Sequence, residues 1–244
     1  MDVYEQRRSG HGHDVHIVIA GGHGRVALAL SRLLAARGHR ISGIIRRPEQ
    51  SDTLRAAGAR TLLLDLATAT AAQLAVLLAG ADAVVFAAGV GRGDACRAHP
   101  VDRDAALTMA DAAERVGVRR YIMLSALGAD PTMEYPVDPV VEAFMRGKGE
   151  VDENLLSRPA LDCTILRPSW FRDSAGTGRV RLAESTGPGE VNRADVAAVL
   201  AALLATPATA GRTLELISGT TPIHAAVAAA CRRSYRAPRP APFE

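Results

Sequence analysis

Between residues 15 and 47 the chain runs in blocks: apolar VHIVIA, glycine-rich GGHG, an amphipathic stretch, Gly38, a second apolar run, then Arg46 and Arg47. The run from Val15 to Ala20 is long enough for a strand buried on both faces and too short for a stable helix. Val26, Leu30, Leu33 and Leu34 fall on one helical face, with Arg25, Arg32 and Arg37 largely off it. Gly38 stands where a left-handed residue is expected to end that helix. Strand-like runs recur at 41 to 46, 60 to 65, 82 to 87, 119 to 124, 161 to 166 and 213 to 217, with helical patterns between most of them. Such alternation predicts right-handed crossovers and an α/β fold: a Rossmann-like, doubly wound parallel sheet with helices on both faces.

In a sheet of that kind ligands bind beyond the carboxyl ends of the strands, so the residues closing each run are the candidate site. After the first run come Gly21, Gly22, His23 and Gly24, then Arg25 and Val26 opening the helix. Gly21 leaves the turn unobstructed, and Gly24 lets the backbone approach a pyrophosphate whose charge meets free N–H groups and the helix dipole. Ala27, where a third glycine often stands, is small enough for close helix-to-strand packing. The second run ends in Arg46 and Arg47 with no acidic residue. An acid there would hold a ribose 2′-hydroxyl and an arginine a 2′-phosphate, so NADP(H) is the expected cofactor. Asp65 and Leu66 close the third run and are placed to flank an adenine. Ala87, Ala88 and Gly89 close the fourth and leave room for the cofactor. Ser125 closes the fifth, and Arg167, Pro168, Ser169, Trp170 and Phe171 close the sixth. With only 4% aromatic residues in the chain, adjacent Trp170 and Phe171 suit either the lining of a flat apolar substrate pocket or plain packing.

Composition narrows the classes. A chain of 244 residues can bury one substantial core, and the expected organisation is a flexible segment 1 to 14, a single dinucleotide-binding domain 15 to 230, and a flexible basic Pro/Arg-rich tail 231 to 244. No signal-peptide pattern and no run of about 18 apolar residues is present, so the expected location is the cytoplasm, without a membrane. The tail's four arginines against one glutamate match the whole net charge of +3, leaving a near-neutral body that does not suggest nucleic acid. Cys96, Cys163 and Cys231 lie far apart with no clustered histidines, which predicts unpaired thiols and no metal, with Cys163 in the core. Lys148 is the only lysine in the chain. A compact ammonium can bind ribose hydroxyls in a way a guanidinium cannot. Its neighbours Glu142, Arg146, Glu150 and Glu153 read as solvated charge.

The glycine turn GGHGRVA, the arginine after the second strand, VDRDAALTMADAAERVGVRRYIMLSALGAD (101 to 130), KGEVDENL (148 to 155), DCTILRPSWF (162 to 171) and NRADVAAVLAALL (192 to 204) resemble the atypical, NmrA-like branch of the short-chain dehydrogenase/reductase superfamily. The likeness covers residues 15 to 225. It implies NAD(P) binding and a catalytic serine, tyrosine and lysine, the last two spaced Y-x-x-x-K. Ser125 matches the serine and Lys148 the lysine, but the tyrosine position is Phe144, which has no proton to give. Two expectations follow. One is an NADPH-dependent reductase of a small carbonyl or conjugated substrate, with Ser125 polarising the acceptor and the proton coming from water or Tyr135. The other is a cofactor-binding redox sensor that has given up catalysis. The partner expected in either case is a small molecule, with the protein a monomer or homodimer.

Overall fold

The computed structural model describes residues 14–89, 95–132 and 138–232. The strands are β1 (His16–Ala20), β2 (Arg40–Ile45), β3 (Ala59–Leu63), β4 (Ala83–Phe86), β5 (Arg120–Leu124), β6 (Asp162–Pro168), β7 (Trp170–Arg172), β8 (Arg179–Ala183), β9 (Glu190–Asn192), β10 (Arg212–Ser218) and β11 (Thr221–Pro222). The helices are α1 (Arg25–Ala35), α2 (Ser51–Ala56), α3 (Ala71–Leu78), α4 (Ala95–Arg115), α5 (Pro139–Leu156), α6 (Arg193–Leu204) and α7 (Ile223–Arg232).

Nine strands form one sheet in the order β11-β8-β10-β6-β5-β4-β1-β2-β3. From β10 to β3 every pairing is parallel. The order turns back on itself between β1 and β4, and that is the switch point where a doubly wound sheet opens a crevice. The parallel strands are apolar at nearly every position because both faces are covered. Ile17 and Ile19 of β1 point into one core with residues of α1, α6 and α7, while Val18 and Ala20 point into a second with residues of α3, α4 and α5. The seven predicted strands are β1 to β6 and β10, within two residues at each end.

The parallel picture fails at one edge. β8 is antiparallel to both β10 and β11, and β7 and β9 make a separate two-stranded sheet. None of these four short strands was expected from the sequence. α7 also continues through Cys231 and Arg232, two residues past the predicted domain end. The segments 1 to 13 and 233 to 244, expected to be flexible, lie outside the described residues, as does Tyr135. Among the described residues no helix is long and apolar enough to cross a membrane.

At the amino end of the central strand β5, Arg120, 3% exposed, ties elements together. Its Nη1 donates to the Asp162 carbonyl and Thr164 Oγ1, and its Nη2 to the Leu203 carbonyl and Thr209 Oγ1. This links β5, β6 and the end of α6 through hydrogen bonds to a group that stays charged.

Candidate active site

The turn after β1 is held by backbone. Gly22 N–H donates to the Ile44 carbonyl at 2.9 Å, and Gly24 N–H to the Gly21 carbonyl at 2.9 Å. Gly21 adopts φ +74°, and a Cβ there would lie 2.5 Å from Ala88 Cα. Gly21 therefore needs to be glycine for the fold, as does Gly22, where a Cβ would lie 2.8 Å from Gly43 Cα. Gly24 has ordinary extended angles, φ −61° and ψ 146°, and serves as the N-cap of α1. A Cβ there would lie 3.2 Å from the Gly21 carbonyl oxygen and in ordinary contact, 3.9 Å, with Ala27 Cβ and the Ala87 carbonyl oxygen. No side chain caps α1 and no acidic residue sits in its first turn, so its leading N–H groups keep no side-chain acceptor. A glycine cradle and uncapped helix N-terminus at the switch point fit a dinucleotide pyrophosphate.

Around this cradle the predicted residues take different positions. Val26 turns its side chain into the core, 7% exposed, and offers only backbone to a phosphate. His23 is half-buried in the turn. Arg25 is exposed and reaches Asp173, just past β7, with Nη1 2.5 Å from Oδ2. Arg46 and Arg47 lie exposed beyond the end of β2, and Arg46 makes no ion pair among the described residues. The Asp65 carboxylate accepts from Ala67 N–H at 3.0 Å, which shapes the turn after β3, and Leu66 beside it is half-buried. Ala87, Ala88 and Gly89 follow β4 directly against the glycine turn.

Ser125 follows β5, 7% exposed, with its N–H on the Leu166 carbonyl at 2.8 Å. Across from it lies α5, pressed so close to the following loop that a Cβ on Gly149 would meet Pro131 N at 2.3 Å. This approach brings in Lys148, 7% exposed, and Asp152, 1% exposed. Ser125 Oγ donates to Asp152 Oδ2 at 2.8 Å, and Arg167 Nε at the end of β6 donates to the same oxygen at 2.8 Å. Asp152 Oδ1 is buried and has no hydrogen-bond partner among the described residues. Burial pushes the Asp152 carboxyl above its usual range. The neighbouring Arg167, Ser125 and Lys148 pull it back without cancelling the effect.

Phe144 lies one helical turn before Lys148, and the Lys148 ammonium sits 5.7 Å from the centroid of its ring. The phenyl ring is thus at the site, where the resemblance places a tyrosine. The described tyrosine, Tyr121, is fully buried in the core with its hydroxyl on the Ala106 carbonyl.

Asp152 was not among the expected site residues, and Arg167 stood among those closing the sixth run with no role assigned to it. The signal for Asp152 was its spacing four residues after Lys148, which puts both on one face of α5. The solvated reading holds for all four: Glu142 and Arg146 make a partly exposed pair at 3.6 Å, Glu150 makes another with Arg103 Nε of α4 at 2.6 Å, and Glu153 is exposed.

After β6 the chain leaves the main sheet. Pro168 is buried, and the Ser169 hydroxyl donates to the Gly189 carbonyl. Trp170 is 67% exposed, and Phe171 packs its ring under the Arg193 guanidinium, 4.9 Å away. A hollow lies beside them, and neither aromatic residue lines it. It measures about 350 Å³ and is lined by Arg172, Ser174, Gly189, Glu190, Asn192, Ile217 and Ser218. Cys163 is in the core as expected, its thiol pushed up to about 12 by burial. Cys231 is partly buried at the end of α7, and the Cys96 side chain lies outside the described residues. Among the described residues no cluster of His, Cys, Asp and Glu could hold a metal ion.

Fold, glycine cradle and helix N-terminus together define a dinucleotide-binding α/β protein. A family model for NAD(P)H-binding proteins matches residues 21–207, and the chain belongs to that family. The uncharacterized sugar epimerase YhfK of Bacillus subtilis is 32% identical over 209 residues, 85% of this chain and 96% of its own length. A Bacillus halodurans structure, named as a candidate NAD-dependent epimerase/dehydratase, is 30% identical with a TM-score of 0.80, covering 88% of this chain and 99% of that one. ChuY of Escherichia coli O157:H7, an anaerobilin reductase, has a TM-score of 0.71 at 24% identity, covering 84% and 97%, a likeness that shows the fold. These relatives agree with the resemblance to the atypical dehydrogenase/reductase branch.

Proposed function

We propose that the protein is an NADP(H)-dependent oxidoreductase that reduces a small carbonyl or conjugated acceptor. The observation that carries this is the convergence of Ser125 and Lys148, from different elements, on one buried carboxylate at the carboxyl edge of the sheet. A protein that only binds a cofactor needs the glycine turn, Arg46 and Lys148, but it has no need of a hydroxyl buried against an acid. ChuY supports the reading as a reductase built on the same fold.

In this reading the N–H groups of the glycine turn and of α1 hold the pyrophosphate, and Arg46 and Arg47 meet a 2′-phosphate. Lys148 binds ribose hydroxyls. The bound reduced nicotinamide supplies a hydride. Ser125 donates its hydroxyl proton to the acceptor oxygen, stabilising the charge that develops there. The polar hollow beside β7 and β9 takes the remainder of the substrate, which favours an acceptor carrying hydrogen-bonding groups.

The test is NADPH oxidation against a panel of quinones, flavins, enones, ketones and keto-sugars, beside calorimetric NADPH and NADH binding. Turnover of at least one acceptor is expected. Tight NADPH binding with no turnover on any would assign the protein to cofactor-occupied sensors instead.

A further inference from the structure

Within the reductase reading, on which this inference rests, the described residues place no tyrosine acid at the site. Reduction of a carbonyl leaves charge on oxygen, and Phe144 stands where the tyrosine acid is implied. Ser125 can donate one proton, but it becomes an unfavourable alkoxide unless a stronger acid refills it. We propose that Asp152 is that acid: from behind Ser125 it passes its proton through the serine hydroxyl to the substrate oxygen.

The geometry supports this in three ways. Ser125 Oγ and Asp152 Oδ2 are 2.8 Å apart, within reach of proton transfer, and with the proton on Oδ2 the carboxyl donates to the serine oxygen and leaves the hydroxyl free to donate to substrate. Among the described residues Asp152 Oδ1 is buried without a hydrogen-bond partner, which is more costly for an ionised carboxylate than for a neutral acid. Arg167 Nε, also at 2.8 Å, stands ready for the charge that appears once the proton has gone. The groups facing Asp152 are Ser125 after β5, Arg167 and Cys163 of β6 and Lys148 of its own helix. Burial outweighs the two cations and raises the carboxyl, while the Cys163 thiol, pushed up to about 12, stays neutral.

The step balances. The carbonyl carbon takes a hydride from the reduced nicotinamide, and the carbon–oxygen π pair moves onto oxygen. That oxygen takes the Ser125 proton, and Ser125 Oγ takes the Asp152 proton. Asp152 is left as a carboxylate beside Arg167 and Lys148, and it is reprotonated from water after product leaves.

The experiment compares the unaltered protein with Asp152→Asn and reads stability as well as rate. A carboxyl raised in the folded state stabilises the fold fully below its unfolded pKa of about 3.9 and progressively loses that contribution as pH rises through the folded value. Denaturant unfolding should therefore show the unaltered protein losing stability relative to Asp152→Asn as pH rises above about 4. The opposite slope would mean a carboxylate held ionised, and would overturn the relay even if the protein proves to be a reductase. Should the variant fail to fold, ¹³C NMR titration of the Asp152 carboxyl in the unaltered protein decides the same point. On whichever acceptor of the panel turns over, Asp152→Asn should lower kcat roughly 10²- to 10⁴-fold with little change in NADPH affinity. It should also abolish the alkaline fall in kcat. A retained alkaline limb at the same pH would overturn the proposal. Absence of turnover on every acceptor, with the raised titration intact, would overturn the reductase reading and the relay with it.

Discussion

Gly21 and Gly24 share one turn, but different demands act on them. At Gly21 a methyl group would enter the backbone of residues 87 and 88, at φ +74°. Gly21→Ala should cost on the order of 2 to 4 kcal/mol of stability by denaturant unfolding, from backbone strain and overpacking together. Gly24 has angles open to any residue and is exposed. Gly24→Val should leave the circular dichroism spectrum unchanged yet remove NADPH binding, because the branched side chain stands where a phosphate must approach. Unchanged affinity in the folded valine variant would move the phosphate site off this turn. Arg46 makes the second residue-scale prediction. Its guanidinium is exposed and in no ion pair among the described residues, so a 2′-phosphate meets no competing carboxylate. A charged hydrogen bond contributes about 1.5 to 3 kcal/mol, hence roughly 10- to 100-fold tighter binding of NADPH than NADH, and Arg46→Glu should erase most of it. Equal dissociation constants in the unaltered protein would make Arg46 an ordinary surface residue.

Helix α5 carries two faces with different work. Phe144, Lys148 and Asp152 repeat every fourth residue on the side turned to Ser125, while Glu142 and Arg146 pair on the other. Lys148→Met should therefore weaken NADPH binding or turnover by at least about tenfold, the worth of one charged hydrogen bond. Arg146→Met should change neither measurably. Equal effects in calorimetry and steady-state kinetics would show that the sole lysine has no part in the site. The periodicity that made α5 legible as a helix did not reveal Asp152, which sits between Glu150 and Glu153 and reads as one more solvated acid. What buries it is the approach of α5 to residues 130 and 131, a contact no local window records. Arg167 carried a plainer signal, a charge at the end of an otherwise apolar strand. β8 left a faint trace in RVRLA, whose valine and leucine are buried and whose arginines are exposed. Five residues of alternation are too few to stand alone, and the strand is fixed by antiparallel pairing with β10 some thirty residues later.

For the whole molecule, the parallel sheet was legible because each βαβ unit is local and its crossover has one hand. The substrate side was not, since it depends on where the chain returns after β6. That return brings Asp173 to Arg25, a contact spanning 148 residues, and so ties the glycine turn to the C-terminal part of the domain. The same Asp173 also holds Arg193 at the start of α6, with Nη1 2.5 Å from Oδ1. A cofactor bound at the switch point, reaching from the glycine turn to Ser125 and Lys148, joins the same two halves. NADPH should therefore stabilise the domain as one unit. At about one hundred times its dissociation constant it adds ~2.7 kcal/mol, which for a domain of this size raises Tm by about 5 to 10 °C in a single transition. NADH at the same concentration, bound roughly 10- to 100-fold less tightly, should add only about 0.4 to 1.4 kcal/mol and shift Tm by about 1 to 5 °C. Scanning calorimetry checks both, and Arg46→Glu should bring the NADPH shift down to the NADH value. Equal shifts from the two cofactors would remove the 2′-phosphate argument. Separate transitions, with only one moved by NADPH, would show that the glycine turn and the Ser125 side do not share one ligand.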